Sequence, residues 1–355
     1  MMSKKLNVAV IFGGQSSEHE VSCISVQTIV KAMNPEKYDI TLIGITKEGC
    51  WLKADNLSSV ADGTWRTSGK KAVLSPDATE KCILVTDGDK LKKLPVDVVF
   101  PALHGMYGED GTIQGLFELA KIPYVGCGVL SSSVSMDKAY TKLLVDGLGI
   151  RQADFVLINH TDMHDLDACV ARVEAKLSYP VFVKPSKAGS SCGVNKATDS
   201  DSLKSALLEA VNHDIRILVE ETIIGREVEC AVLGGYEPEA SNVGEVLSAE
   251  DFYTYDAKYN NPVSRTELHP EFPEGVLEEI RHDAVEIFKR VDGYGLARVD
   301  FFLEKGTNQV IFNEINTLPG FTSISMYPML WADRGVDNEA LVDRLIELAF
   351  HRYER

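Results

Sequence analysis

The order of apolar and polar positions along the first hundred residues predicts alternating strands and helices. Residues 6–12 and 38–46 are apolar runs of strand length, and residues 96–100 form a third run. Between the first two runs, apolar residues recur at the spacing of one helix face and stop before a proline: Val26, Ile29, Val30 and Met33. Strands that alternate with helices in this way indicate an α/β fold with a parallel, doubly wound sheet.

Further along the chain the pattern changes. Residues 54–94 are typical of a turn-rich insertion, and a glycine- and serine-rich stretch at residues 123–133 indicates a joint between domains. Residues 247–275 lose all periodicity but keep several aromatic side chains. A long irregular segment in a compact protein is usually functional or disordered. Because the aromatic content argues against disorder, we expect this segment to form an active-site lid.

Two apolar runs on either side of residues 305–308 predict a β-hairpin. Alternate residues of a strand share a face, and one face of this hairpin then carries Arg298, Asp300, Phe302, Phe312, Glu314 and Asn316. If Glu304 pairs with Val310, Asp300 lies opposite Glu314, and the arginine lies opposite the asparagine. This register is an inference, which the glycine of the turn permits without requiring it.

The charges on that face point to a cation. Carboxylates directly across a sheet repel each other and destabilise it, so Asp300 and Glu314 call for a positive charge between them. Together with the amide oxygen of Asn316 they form a set of hard oxygen ligands of the kind that binds Mg²⁺. A solvated hairpin face whose acids never meet remains the alternative at this point.

Composition and charge narrow the class of protein. A chain of 355 residues is long enough for two or three domains. A net charge of −17 without a basic run argues against a nucleic-acid partner, and no apolar run approaches the length of a membrane span. The seven cysteines are scattered and lack C-x-x-C spacing, which favours a reducing cytoplasm over a disulfide framework or a zinc site.

Three loops that follow predicted strands carry candidate chemistry. The turn at residues 13–14 lacks the dinucleotide fingerprint, but Glu18 follows it at a helix start. That position suits either an acid at the helix dipole or a ligand group at the carboxyl end of a strand. His104 occupies the equivalent place after a later strand, where a hydrogen bond within the loop is the alternative. Lys184 precedes a small-residue loop, residues 185–193, which suits phosphate binding or a plain hairpin turn.

Five motifs, in order, resemble those of the D-alanine–D-alanine ligases of the ATP-grasp superfamily. They are residues 13–22 (GGQSSEHEVS), 103–115 (LHGMYGEDGTIQG), 184–193 (KPSKAGSSCG), 257–259 (AKY) and 313–323 (NEINTLPGFTS). The resemblance covers essentially the whole chain, and the insertion is similar to that of the longer members, including the vancomycin-resistance D-alanine–D-serine branch. It implies three α/β domains, at residues 1–127, 128–220 and 221–355, with ATP held between the second and the third.

The resemblance also implies which residues bind ATP and metal. Lys138 and Lys184 would neutralise the phosphates, and the loop at Ser190 and Ser191 would cover them. The remaining nucleotide contacts would be Glu220, Glu221 and Ile223 at adenine, Glu227 at the ribose and Lys258 from the lid. The ligands of two Mg²⁺ ions, or of Mn²⁺ in their place, would be Asp300, Glu314 and Asn316.

The implied amino-acid site draws on all parts of the chain. Glu18 would hold the ammonium of the first D-alanine in a network with Ser190 and Tyr259. Arg298 and the Gly320 amide would face the oxyanion of the second step. The remaining substrate contacts would be His104, Ser325 and Met326, the last two at the carboxylate of the second amino acid.

What the resemblance implies is an ATP-dependent ligase that joins two D-alanines through a D-alanyl phosphate for peptidoglycan synthesis, in the cytoplasm and as a homodimer. A nucleotide-binding regulator without turnover is the alternative of another class. Tyr259 favours an amine over a hydroxy acid as the acceptor. The apolar Met326 favours D-alanine over D-serine, with a discrimination of about 10²-fold or less because the two differ by one hydroxyl.

Overall fold

The computed structural model describes residues 4–187, 189, 193–247 and 265–354. Its strands are β1 (Leu6–Gly13), β2 (Tyr38–Ile45), β3 (Trp51–Lys53), β4 (Lys71–Leu74), β5 (Cys82–Asp87), β6 (Lys90–Pro95), β7 (Val98–Leu103), β8 (Phe155–Asn159), β9 (Val181–Pro185), β10 (Asn195–Ala197), β11 (Arg216–Glu221), β12 (Gly225–Gly234), β13 (Glu239–Leu247), β14 (Arg265–Glu267), β15 (Gly295–Glu304) and β16 (Val310–Asn316).

The helices lie between and after these strands. They are α1 (His19–Ala32), α2 (Leu57–Ala61), α3 (Thr112–Ala120), α4 (Val129–Met136), α5 (Lys138–Asp146), α6 (Leu166–Glu174), α7 (Ser200–Ala210), α8 (Val276–Arg290), α9 (Met326–Asp333) and α10 (Asn338–His351). Within the described ranges, none of the helices combines the length and the apolar character needed to cross a membrane.

The first sheet has the order β6-β5-β4-β3-β2-β1-β7. The predicted parallel pairing is present where β1 lies between β2 and β7. Beyond β2 every pair is antiparallel, so the sheet as a whole is mixed. The α/β class predicted from the sequence is confirmed.

The antiparallel part of that sheet comes largely from the segment that the sequence pattern assigned to turns. Strands β4, β5 and β6 all lie within residues 54–95. Strands β5 and β6 are joined by Gly88 and Asp89 alone, with Asp87 paired to Lys90. Gly88 has a φ of +59°, the left-handed conformation that short hairpin turns require. This Gly-Asp pair is a hairpin signal that the prediction overlooked.

Two further sheets lie later in the chain. The order β10-β9-β11-β8 forms a four-stranded antiparallel sheet that packs against α6 and α7. The order β14-β13-β12-β15-β16 forms a five-stranded antiparallel sheet, with α8 on the face opposite the candidate site.

The first and last parts of the chain share one hydrophobic core. Val10 and Phe12 of β1 belong to the same buried cluster as Trp331 of α9 and Leu345 of α10. This packing holds the loops after β1 and β7 against the segment that follows β16. The domain boundaries at residues 127 and 220 stay a prediction.

Candidate active site

The predicted hairpin exists and places the expected residues opposite each other. In β15 and β16, Asp300 pairs with Glu314 and Arg298 pairs with Asn316. The predicted pair of Glu304 with Val310 was wrong, however, because Val310 pairs with Leu303.

A bulge reconciles these two findings. Asp300 pairs with Glu314, but the next residue, Phe301, pairs with Phe312. Asn313 therefore has no partner on β15 and is the extra residue of the bulge in β16. The one-residue shift turns Phe312 to the other face, where it is buried beside Phe301 with the ring centroids 6.1 Å apart. The expectation that Phe312 shares the face of Glu314 was therefore wrong.

Three carboxylates stand in a row across the sheet. Glu229 of β12 pairs with Asp300, which in turn pairs with Glu314. Glu229 is not among the site residues predicted from the sequence. Its signal is the alternation of Glu227 and Glu229 with the fully buried Val228 and Cys230, which places both acids on one face of β12. Such a row is stable only with positive charge beside it.

Arg298 supplies part of that charge. Its Nε and Nη2 donate to the two Asp300 carboxylate oxygens at 2.7 and 2.6 Å, a two-pronged pairing that fixes the guanidinium plane. Nε also lies 3.1 Å from Glu229 Oε2, and Asn316 Nδ2 donates to Asp300 Oδ2 at 3.0 Å. Burial opposes the charge of Arg298, but Asp300 and Glu229 outweigh it and raise its pKa well above the ordinary value.

Lys138 supplies charge at the other end of the row. Its Nζ lies 3.1 Å from Glu314 Oε2. The lysine begins α5, directly after Asp137, which is 2% exposed and accepts a hydrogen bond from Arg216 Nε at 3.0 Å. The Lys138 backbone N–H donates to Ser186 O at 3.0 Å. The start of α5 is thereby tied to the β9 loop that was predicted to bind phosphate.

Lys184 belongs to a second buried ion cluster. Glu220 is 3% exposed, and its two carboxylate oxygens lie 2.8 Å from Lys142 Nζ and 2.5 Å from Lys184 Nζ. Burial tends to raise the pKa of Glu220, but the two ammonium groups outweigh it and lower the pKa to about 2. Lys142 is a member of the site that the sequence analysis missed. An isolated lysine inside a helix pattern gives no sign that it is buried.

The carboxylates predicted at adenine are both engaged with protein groups. Glu220 is held by its lysines, and Glu221 Oε1 accepts from Arg151 Nη2 at 2.6 Å and from the Asp154 N–H at 2.8 Å. Ile223 lies just after β11, where the chain has left the sheet, and it is partly exposed. Contacts of Glu220 and Glu221 with adenine would therefore be made through the backbone.

Glu18 lies where the first and second sheets approach each other. It directly precedes α1, but its side chain makes no hydrogen bond that caps the helix. A Cβ built on Gly105 would stand 2.8 Å from Glu18 Oε2, and one built on Gly189 would stand 3.1 Å from it. Two glycines thus make room for this carboxylate, which favours a ligand role over the alternative of an acid at the helix dipole.

His19, Glu20 and Cys23, which follow Glu18, have Arg66 as their partner. Arg66 Nη2 lies 3.2 Å from His19 Nε2, 3.0 Å from Glu20 Oε2 and 3.8 Å from Cys23 Sγ. These three residues have the composition of a metal site, but a guanidinium already lies among them and supplies the positive charge.

His104 is bound on both ring nitrogens by protein groups. Nδ1 lies 2.9 Å from Leu318 O, and Nε2 lies 3.0 Å from Ser25 Oγ. These contacts let the side chain hold the segment after β16, and its expected contact with the substrate stays a prediction.

Glu109 belongs to the same motif as His104, residues 103–115, but no role was predicted for it from the sequence. Its Oε1 accepts from the Gly105 N–H at 2.8 Å, and its Oε2 accepts from the Leu318 N–H at 3.1 Å. Burial and the nearby charge of Glu18 raise the pKa of Glu109 to about 8, against the lowering effect of the two N–H donors.

The segment predicted to bind the second carboxylate leads into α9. Ser325 precedes the helix, and its Oγ lies 2.9 Å from the Thr322 N–H. Met326 is 3% exposed and belongs to the shared core, and a Cβ built on Gly244 would stand 2.4 Å from its Sδ. The Met326 side chain therefore points into the core, and only its backbone is available to a ligand.

Four predicted site residues, Ser190, Ser191, Lys258 and Tyr259, lie outside the described residues, as does most of the predicted lid. The others fall into three groups. Lys138, Arg298, Asp300, Glu314 and Asn316 form the cluster on the hairpin, and Lys184, Glu220, Glu221 and Ile223 lie around β11. The third group lies after strands β1, β7 and β16, up to the start of α9, and consists of Glu18, His104, Gly320, Ser325 and Met326. Glu227 lies on β12, near enough for its charge to contribute to the raised pKa of Lys184, although burial opposes that rise.

The donor set on the hairpin fits Mg²⁺. Two carboxylates face each other on adjacent strands, and an amide lies beside them, which are the hard oxygen ligands this ion prefers. The nearby lysines fit the phosphates that complete the coordination of Mg²⁺ in nucleotide sites.

Comparisons with known proteins show which family the chain belongs to. Sequence profiles described as D-ala D-ala ligase N-terminus and C-terminus match residues 7–127 and 144–347. The D-alanine--D-alanine ligase of Ruminiclostridium cellulolyticum is 52% identical, over 99% of this chain and 97% of the relative.

Two solved structures are similar over almost their whole length. The D-alanine-D-alanine ligase from Coxiella burnetii has a TM-score of 0.86 at 35% identity, covering 99% of this chain and 96% of its own. The VanG D-Ala:D-Ser ligase from Enterococcus faecalis has a TM-score of 0.89 at 38% identity, covering 98% and 100%. The chain therefore belongs to the D-alanine–D-alanine ligase family of ATP-grasp enzymes, which is ATP-dependent.

Proposed function

We propose that this protein joins two D-alanines to D-alanyl-D-alanine, with conversion of ATP to ADP and inorganic phosphate, to supply a peptidoglycan precursor. The observation that carries the proposal is the row of Glu229, Asp300 and Glu314 across three strands, with Arg298 and Lys138 as its counter-ions. Carboxylates and cationic side chains at these distances suit a reaction in which a substrate carboxylate must approach the phosphates of ATP.

In the first step, a carboxylate oxygen of the first D-alanine attacks the γ-phosphorus of ATP. The bond from that phosphorus to the β–γ bridging oxygen breaks, and ADP leaves with the electron pair. Phosphoryl transfer depends on positioning and on electrostatic stabilisation. We assign to Lys138, Lys184 and Lys258 the neutralisation of the phosphates. We assign to Glu18 the binding of the substrate ammonium.

In the second step, the amine of the second D-alanine attacks the carbonyl carbon of the D-alanyl phosphate. The carbonyl electron pair moves to oxygen, the amine loses a proton, and the tetrahedral species expels inorganic phosphate to leave the peptide bond. The developing oxyanion needs donors placed in advance, and we assign that role to Arg298 and to the Gly320 N–H. Ser325 and the Met326 backbone lie at the start of α9, where a carboxylate is stabilised by the helix dipole.

Asp300, Glu314 and Asn316 are the residues we assign to two Mg²⁺ ions, which Mn²⁺ can replace. When bound, the metal would spread the negative charge of the phosphates during transfer. Ser190, Ser191 and Tyr259, which lie outside the described residues, complete the assignment, and we assign to them the exclusion of water from the acyl phosphate.

The retained charges argue against a regulator that binds nucleotide without turnover. Such a protein would need its nucleotide contacts but not Arg298 or Glu18, whose proposed partners are amino-acid groups. The family resemblance supports a homodimer in the cytoplasm, which sedimentation and cell fractionation would test.

The experiment is to incubate the purified protein with ATP, Mg²⁺ and D-alanine, and to measure ADP together with dipeptide by mass spectrometry. L-alanine is the matched control, because it carries the same groups with the opposite hand. We expect ADP release that depends on D-alanine and one dipeptide for each ADP. Dipeptide formation without ATP, or no ADP release with D-alanine, would overturn the proposal.

A further inference from the structure

Residues 318–321, which follow β16, are held to the first part of the chain by a set of hydrogen bonds that we call the Leu318 clasp. Its side chains are Ser25, His104 and Glu109. The Leu318 N–H donates to Glu109 Oε2 at 3.1 Å, Leu318 O lies 2.9 Å from His104 Nδ1, and the Phe321 N–H donates to Ser25 Oγ at 3.3 Å.

The directions of these bonds are mutually consistent. A carbonyl oxygen only accepts, so His104 Nδ1 carries a proton, and in a neutral imidazole Nε2 is then an acceptor. The Ser25 hydroxyl donates to Nε2 across 3.0 Å while it accepts from Phe321. The chain of bonds therefore begins at Phe321 and returns to Leu318, and Gly320 lies between these two anchored residues.

The clasp leaves one backbone donor of the stretch for a ligand. Leu318 and Phe321 have their N–H groups occupied, and Pro319 has none. Among the residues that the structure describes, the Gly320 N–H has no hydrogen-bond partner. A donor that is fixed on both sides but unsatisfied is what a developing oxyanion requires.

Glu109 connects this donor to the other end of the substrate site. Its second oxygen accepts from the Gly105 N–H at 2.8 Å, and Gly105 lies directly against the Glu18 carboxylate. One carboxyl group thus bonds both the loop beside Glu18 and the segment that bears Gly320. Both oxygens can accept in either protonation state, because a carboxylic acid keeps acceptor capacity on each.

We propose that Glu109 is a positioning residue for the second step: it sets the distance between the Glu18 carboxylate and the Gly320 N–H, so that the acyl carbonyl of a substrate held at Glu18 meets the amide donor. This inference rests on the proposed ligase function. Glu109 acts through Gly105 and Leu318 and does not itself touch the reacting atoms.

Two substitutions of Glu109 separate the loss of one N–H bond from the loss of both. Glu109→Gln keeps one acceptor oxygen and so retains one of the two N–H bonds, whereas Glu109→Met has nearly the same length and keeps neither. Because a small misplacement of a catalytic group lowers the rate by as much as about 100-fold, we expect kcat for dipeptide to fall about 10-fold in the glutamine variant and about 100-fold in the methionine variant. The KM for ATP should not change, since Lys138 and Lys184 are outside the clasp.

The decisive readout compares the two steps. ATP with a heavy-oxygen label in the β–γ bridge scrambles that label into the non-bridging positions whenever the acyl phosphate forms and reverts. The ratio of D-alanine-dependent scrambling to dipeptide formation rises if only the second step is slowed. Glu118→Gln and Glu118→Met are the matched controls, because Glu118 accepts from Tyr124 Oη at 2.9 Å in the same part of the chain but lies outside the clasp.

The proposal is supported if the scrambling ratio rises from wild type to Glu109→Gln to Glu109→Met while the Glu118 variants stay at the wild-type ratio. It is overturned if the ratio stays unchanged or if scrambling falls in step with dipeptide formation. If the methionine variant does not fold, the glutamine variant decides by the same criterion. A wild-type protein that makes neither ADP nor dipeptide with D-alanine would instead overturn the proposed function.

Discussion

Lys142→Met tests the buried ion cluster behind the phosphate-binding lysine. Lys142 and Glu220 are 2% and 3% exposed, and Lys142 Nζ lies 2.8 Å from Glu220 Oε1. Removing one partner of a buried ion pair lowers the free energy of unfolding by about 3–5 kcal/mol. Because Lys184 still contacts the other oxygen of Glu220, we expect the lower end of this range, about 3 kcal/mol.

The same substitution has a predictable pH dependence. The pKa of Glu220 in the folded protein is about 2, below its ordinary 4.5, so its stabilising contribution is present above pH 4.5 and is lost as the pH falls toward 2. Lys142→Met raises the pKa of Glu220 because one of its two cations is gone. The stability difference between wild type and variant should therefore shrink as the pH falls through this window.

The assay is urea unfolding of both proteins at neutral pH and again between pH 4.5 and the acid limit of the folded state. Lys176→Met is a matched control. Both ammonium groups lie over the Phe155 ring, Lys142 at 5.6 Å and Lys176 at 5.5 Å from its centroid, but Lys176 is exposed. A loss no larger than that of the control, or a loss that does not change with pH, would refute the reasoning.

Three further predictions concern the site itself. Glu314→Gln should nearly abolish turnover at saturating Mg²⁺ with the fold intact, because it removes a proposed metal ligand and the partner of Lys138; full activity would contradict the assignment, and Glu304→Gln on the same hairpin is the control. For D-alanine and D-serine as second substrates, the ratio of their kcat/KM values should lie between one and about 10², because the two differ by one hydroxyl. A preference for D-serine would contradict the proposed substrate. The folded-state pKa of Glu109 is about 8, above its ordinary 4.5, so its stabilising contribution is present below pH 4.5 and is lost as the pH rises through 8; the stability difference from Glu109→Gln should fall over that range in urea titrations.

The hairpin shows how far a periodic pattern predicts a site. Alternation placed Arg298 and Asp300 on one face, and the register set Asp300 opposite Glu314, as found. The starting pair was nonetheless off by one residue, and the bulge at Asn313 removed the error before the functional positions. A strand pattern of period two cannot reveal an extra residue, because the residues on each side of it still alternate.

The side chain of Met326 does not lie where the sequence analysis expected it. The sequence placed an apolar Met326 beside the second substrate, but the side chain packs into the core against Gly244. The apolar residue type was predicted correctly, but the direction of the Met326 side chain depends on Gly244, in a strand more than eighty positions earlier. The expected preference for D-alanine now rests on the family relationship and no longer on the shape of a methionine-lined pocket.

Glu109 was overlooked for a related reason. Asp300 and Lys184 could be matched with a cation and an anion from the sequence, because charge belongs to the side chain. The partners of Glu109 are two backbone N–H groups, at Gly105 and Leu318, and every residue except proline offers such a donor. Only the packing of the loop after β7 against the segment after β16 selects these two. Some charged residues of this site, such as Asp300 and Lys184, can therefore be predicted from the sequence, whereas a residue that fixes the geometry through the backbone, such as Glu109, becomes visible only in the fold.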